Sequence, residues 1–146
     1  SIYKFRTMIN GSTQPTPVTA SSILDPNLTL SKPKNKLIPG GNLLRATGLD
    51  ELPQLFNILR GDMSIVGPRP VTLQEASNFP TFAHKRFDAI PGLTGMWQVN
   101  GKNSTTFRRM IALDRLYIRK QGVLLDLIIT LGTIPAVIRN AFTQNA

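Results

Sequence analysis

Apolar and polar residues alternate across "SIYKFRTM", where Ile2, Tyr3, Phe5 and Met8 surround Lys4 and Arg6; the pattern is weakly strand-like and half-buried. The alternation then stops. Residues 9–36 are dominated by Ser, Thr, Pro, Asn and Lys, which predicts a long irregular, variable loop. After the turn-forming "PGG" at 39–41, Leu52, Leu55, Phe56 and Leu59 recur at i, i+3, i+4 and i+7, one apolar stripe of a helix that Gly61 stops. Further helical segments are predicted within 72–87, from 104 to about 120, and within 123–139, where Pro135 kinks or ends the last one. Between the first two of these, "PGLTGMWQVNG" reads as turn, short strand, turn. No G-x-G-x-x-G follows a strand, so a doubly wound dinucleotide fold is not expected. The predicted fold is α/β or α+β: one compact, helix-rich domain over residues 1–146 with a few short strands.

Length agrees with one domain, since 146 residues support a real core but not two ordinary ones. Charge narrows the partners. Seventeen Lys and Arg against eight Asp and Glu give a net +9, which points to nucleic acid, a phospholipid surface or phosphorylated substrates. With no cysteine and only His84, a disulfide scaffold, a thiolate metal site and a multi-histidine metal site are all excluded.

Within this basic chain, the stretch "GLDELPQLFNILRGDMSIVGPRP" places two adjacent carboxylates just before Pro53. Proline is tolerated only in the first turn of a helix, so Asp50 is the expected N-cap and Glu51 the first helical residue. A cap and a favourable dipole charge together are worth about 0.3–2 kcal/mol. Two adjacent acids exceed what a cap requires. Further on, Pro68 and Pro70 stiffen the backbone around Arg69, a setting suited to bidentate phosphate recognition. Carboxylates beside a phosphate-binding arginine repel the phosphate unless a divalent cation neutralises them, so Asp50 and Glu51 are candidate ligands for Mg²⁺ or Mn²⁺. Nucleophile, metal and phosphate clamp would make a phosphoryl-transfer site.

At these residues a family resemblance emerges. "YKFRTM", "LDELPQLFNILRGDMSIVGPRP", "PGLTGMWQVNG", "LDRLY" and "LLDL" resemble the bacterial sugar transferase family, the monotopic phosphoglycosyl transferases. The resemblance implies transfer of a sugar 1-phosphate from a UDP-sugar to polyprenol (undecaprenyl) phosphate, at the cytoplasmic face of the bacterial inner membrane, initiating a surface polysaccharide or glycoconjugate. Residue by residue, it implies that Asp50 is the nucleophile, that Glu51 helps hold Mg²⁺, and that Lys4, Arg45 and Arg69, the last within Pro68-Arg69-Pro70, contact phosphates or the nucleotide. It also implies a re-entrant membrane segment ahead of "YKFR", so the chain reads as the catalytic domain of a larger protein. The sequence departs from the pattern at "NGKNSTTFRR", where an acidic segment is common, at "KQG" over 120–122, and at Ile90.

Other residues have plainer readings. Trp97 is a partly buried packing residue, and His84 a surface or satisfied half-buried histidine. Asp114 and Tyr117, one helical turn apart, form a hydrogen-bonding pair. Residues 122–138 are apolar but too short for a span and contain Asp126 and Pro135; with Arg108, Arg109, Arg115, Arg119 and Lys120 ahead of them, they read equally as a core helix beside a solvated basic one or as a segment lying on an anionic membrane, and the family resemblance implies the second. A basic nucleic-acid-binding module is the rival explanation of the charge, and an inactive scaffolding relative is a third. No finger spacing or interleaved aromatic and basic strand supports nucleic acid as a partner.

Overall fold

The computed structural model describes residues 1–9, 37–100 and 106–143, with side chains described up to residue 138. Apart from Ile9, the irregular loop expected over 9–36 lies outside the described residues, as does most of the "NGKNSTT" departure. Met8 and Leu37 form an antiparallel bridge, and Ile38 N–H donates to the Thr7 carbonyl at 3.2 Å. From there run helix α1 (Gly41–Thr47), a 3-10 turn (Leu49–Glu51), α2 (Gln54–Leu59), strand β1 (Ser64–Val66), α3 (Leu73–Ser77), a 3-10 helix (Thr81–Asp88), β2 (Gly92–Thr94), α4 (Met96–Val99), α5 (Phe107–Lys120) and α6 (Val123–Thr143). The fold is thus helix-rich with one small sheet, as expected. β1 and β2 pair in parallel, with Ser64 opposite Gly92 and Val66 opposite Thr94.

Two apolar clusters hold the elements together. Phe79, Ala83, Trp97, Phe107, Met110 and Ile111 form one, with the Phe79 ring edge-on to Phe107 at 5.0 Å. Val66, Tyr117 and Ile129 form the other, joining β1, α5 and α6. α5 is amphipathic: Phe107, Met110, Ile111, Asp114 and Tyr117 face inward, while Arg108, Arg109, Arg119 and Lys120 are exposed.

Several expectations are corrected. The opening segment forms no strand and joins no ladder beyond the Met8 bridge, and Ile2, Tyr3 and Phe5 are exposed. The segment within 72–87 is two pieces, because Pro80 separates α3 from the 3-10 helix. The residues after β2 form a helical turn, α4. Pro135 does not end α6, which continues to Thr143. The sharpest correction concerns α2, whose predicted apolar stripe exists but points outward. An apolar stripe ordinarily faces the core; here Phe56 is 65% and Leu59 84% exposed, whereas Gln54 and Asn57 are buried. Asn57 explains the inversion. Its amide donates to the Ser1 carbonyl at 2.8 Å and its oxygen accepts from Tyr3 N–H at 2.9 Å, so the inner side of α2 is used to tether the start of the chain.

α6 leaves a second apolar face open, formed by Leu124, Leu127, Ile128, Leu131, Ile134 and Ile138. Among the described residues, no helix is long and apolar enough to cross a membrane.

Candidate functional site

Gly48 ends α1 with φ 75°, a left-handed turn that L side chains rarely adopt, and so redirects the chain into the 3-10 turn. Asp50 and Glu51 lie in that turn, not at a helix start. Pro53, rather than Asp50, occupies the N-cap position of α2, and no side-chain cap forms there. The acidic pair therefore does not cap α2. Asp50 is instead buried, and Phe5 N–H donates to its backbone carbonyl at 2.9 Å. This bond docks the "YKFR" segment beside the turn.

Lys4 is delivered by that docking. Its Nζ lies 3.0 Å from Asp50 Oδ2 and 3.1 Å from Glu51 Oε1, so one ammonium bridges both carboxylates. The Asp50 side chain is 3% exposed and that of Glu51 23%. A buried carboxylate requires a charged or hydrogen-bonding partner, and Lys4 supplies it. Two carboxylate oxygens converging on one cationic point also form a hard-oxygen pair of the kind Mg²⁺ accepts alongside water and phosphate oxygens. The residues present therefore fit a divalent cation, although no group of three or more His, Cys, Asp and Glu suited to a metal occurs among the described residues.

Arg69 belongs to a second constellation. Gly67 N–H donates to the Thr94 carbonyl at 2.9 Å and Gly92 N–H to the Pro68 carbonyl at 3.0 Å, pinning the Pro68-Arg69-Pro70 loop to β2. The Arg69 carbonyl accepts from Arg86 Nη2 at 2.8 Å, and the exposed Arg69 guanidinium lies over the Trp97 ring, 5.3 Å from its centre. Trp97 is thus the packing residue expected, and also a platform for Arg69. Arg45 lies on α1, with its Nε buried and without a hydrogen-bond partner among the described residues. The structure joins Lys4, Asp50 and Glu51 directly, while the described contacts of Arg69 are with Trp97 and Arg86.

Some participants escaped the sequence reading. Arg86 pairs with Asp114 at 2.9 Å deep in the core. Burial lowers the Arg86 pKa, with Asp114 opposing the shift. The expected Asp114–Tyr117 pair does not form: the single Tyr117 O–H is shared between the Val66 carbonyl at 3.0 Å and Asp126 Oδ1 at 2.9 Å. Burial pushes the Tyr117 hydroxyl up to about 12, and the Asp126 carboxylate adds to the shift. One clue was available, since Asp114 interrupts the inward face shared by Met110, Ile111 and Tyr117. His84 is exposed, with Nε2 3.1 Å from the Phe79 carbonyl, as a satisfied surface histidine should be.

Comparison with known proteins adds to this geometry. The model of a family described as bacterial sugar transferase matches residues 1–140. The exopolysaccharide production protein ExoY of Sinorhizobium fredii is 47% identical over 97 residues, which cover 66% of this chain and 43% of the relative. The UDP-glucose:undecaprenyl-phosphate glucose-1-phosphate transferase of Caulobacter vibrioides is 45% identical over 115 residues, covering 73% and 42%. The undecaprenyl-phosphate galactose phosphotransferase of Salmonella typhimurium is 40% identical over 99 residues, covering 68% and 21%. The matched part of the chain spans less than half the length of each of these relatives.

Proposed function

The chain belongs to the bacterial sugar transferase family, and from that premise we propose that it carries the catalytic residues of a phosphoglycosyl transferase moving a sugar 1-phosphate from a UDP-sugar to polyprenol phosphate. The observation that carries this reading is the buried Asp50 carboxylate held beside Glu51 by Lys4. A carboxylate paired with a cation and shielded from water is a competent nucleophile toward phosphorus. The names of the Caulobacter and Salmonella relatives, both acting with undecaprenyl phosphate, support the acceptor class.

In this mechanism an Asp50 oxygen attacks the sugar-bearing phosphorus, the bond from that phosphorus to the bridging oxygen breaks, and UMP leaves with the electron pair. The sugar phosphate is then an acyl phosphate on Asp50. An oxygen of the lipid phosphate attacks the same phosphorus and releases the Asp50 carboxylate, giving the polyprenol diphosphate sugar. Glu51 and Asp50 would hold Mg²⁺ or Mn²⁺, which when bound supplies charge neutralisation between the carboxylates and the diphosphate. Lys4 orients both acids and offers its ammonium to the departing phosphate. Arg69, fixed by its loop and stacked on Trp97, presents a planar fork to a second phosphate. The chemistry belongs at the cytoplasmic face of the bacterial inner membrane, and the exposed apolar faces of α2 and α6 suit contact with that surface.

The deciding experiment omits the acceptor. Full-length protein incubated with a panel of UDP-sugars and Mg²⁺ should release UMP and gain the mass of one sugar phosphate, mapped to Asp50. Asp50→Asn should abolish both events. An adduct of equal yield on the Asp50→Asn protein would refute the assignment, and active wild type showing no adduct under rapid quench would favour direct attack by the lipid phosphate.

A further inference from the structure

Next to the acidic pair lies a cleft of about 460 Å³ lined by Tyr3, Lys4, Phe5, Pro53, Phe56 and Arg60. Three aromatic residues, a proline and two cations thus share one lining. Lys4 is shared with the site, since its Nζ is 3.0 Å from Asp50 and 3.1 Å from Glu51. Arg60 is held only loosely: its Nε is 3.5 Å from the exposed Asp62 carboxylate, and Nη1 is 3.4 Å from the Tyr3 hydroxyl. Exposed pairs of this kind contribute little, so the guanidinium remains available to an incoming anion. Beyond the cleft, Leu55 and Leu59 continue the outward stripe of α2, with Leu59 84% exposed.

Cations and aromatic rings lining one cleft, with the apolar stripe of α2 exposed beyond it, match an amphiphile with an anionic head. We propose that this cleft binds the acceptor, an isoprenoid monophosphate: the phosphate between Lys4 and Arg60, the first isoprene units against Tyr3, Phe5 and Phe56, and the rest of the chain along Leu55 and Leu59. The proposal rests on the transferase reading above and assigns its acceptor subsite. Through Lys4, the lipid phosphate arrives beside Asp50, where its oxygen bonds to phosphorus as the Asp50 oxygen–phosphorus bond breaks.

The test compares full-length wild type with Phe56→Ser and Arg60→Gln in two assays. With UDP-sugar and no lipid, both variants should form the Asp50 adduct like wild type, which also shows that they fold. With undecaprenyl phosphate in micelles, the acceptor KM should rise about tenfold or more, the scale set by losing one aromatic wall or one charge-assisted contact. An unchanged acceptor KM overturns the proposal, as does loss of adduct and acceptor use together. Calorimetric binding of farnesyl phosphate supplies a readout independent of turnover. It should weaken in both variants and resist competition by inorganic phosphate or phosphatidylglycerol micelles; equal competition by either would overturn the assignment to an isoprenoid phosphate. Wild type that releases no UMP from any UDP-sugar would instead sink the transferase reading, and farnesyl phosphate binding would still decide the cleft.

Discussion

The guanidinium of Arg86 lies 2.9 Å from the carboxylate of Asp114, and the two side chains are 1% and 2% exposed. Arg86 also donates to the Arg69 carbonyl at 2.8 Å, so a fully buried pair supports the loop that presents Arg69. Burying two charges costs much of what their attraction returns, and removing one partner alone is what destabilises.

Arg86→Met should therefore cost about 3–5 kcal/mol in chemical denaturation at pH 8. The loss should shrink toward pH 5, where the abandoned Asp114 carboxyl takes up a proton. A loss independent of pH would show that Arg86 contributes packing rather than charge.

The acid of the pair behaves differently. Burial pushes the Asp114 carboxyl up to about 6 from 3.8, and Arg86 and Arg69 oppose the shift without cancelling it. Between these values the folded protein binds a proton that the unfolded chain has released. The stability gained on this account is complete below about pH 4 and lost as pH rises through about 6, a change of roughly 3 kcal/mol. Asp114→Asn, which leaves the Arg86 guanidinium buried without its counter-charge, should also destabilise at neutral pH. The unfolding free energy of wild type minus that of Asp114→Asn should fall between about pH 4 and 6.5 and then level. A flat difference would contradict the assignment.

Gly92 is constrained by its neighbours. A β-carbon there would strike the backbone of Val66, Gly67 and Thr94, and backbone does not move aside as a flexible side chain does. Gly92→Ala should cost about 3 kcal/mol or more and lower the melting temperature by about 10 °C. Retention of the wild-type melting temperature would mean that β1 and β2 can separate without penalty.

For the metal, UMP release should require Mg²⁺ or Mn²⁺ and stop with EDTA. Glu51→Gln should lower turnover yet form some adduct at high Mg²⁺, because the proposed nucleophile, Asp50, remains. Full activity in chelator would remove Glu51 from its proposed role.

How far the chain could be read from sequence follows from the range of each interaction. The helical stripe of α2 was evident from spacing, but spacing records which residues share a side, not where that side faces. Its direction depends on Asn57 binding Ser1 and Tyr3, contacts between distant parts of the chain. The acidic pair stood out because its members are adjacent; its ammonium did not, because Lys4 reaches it only when Phe5 docks on the Asp50 carbonyl. Asp50 was misplaced at a helix start because Pro53 indicates a helix beginning without showing that Gly48 first imposes a 3-10 turn. The Arg69 loop was marked by its prolines, whereas Trp97 beneath it and Arg86 behind it come from separate elements.

The Met8–Leu37 bridge acts as a clasp. It fixes both ends of the intervening sequence at one point, with Thr7 and Ile38 hydrogen-bonded alongside. The separation between the docked Lys4 segment and α1 is therefore set by the clasp and not by how many residues lie between. Doubling that number would raise the closure cost by only about 0.6 kcal/mol. The intervening sequence can accordingly be lengthened, shortened or rewritten while Lys4 stays in register with Asp50, so that the geometry of the Lys4–Asp50–Glu51 cluster and the composition of residues 10–36 answer to different selective pressures.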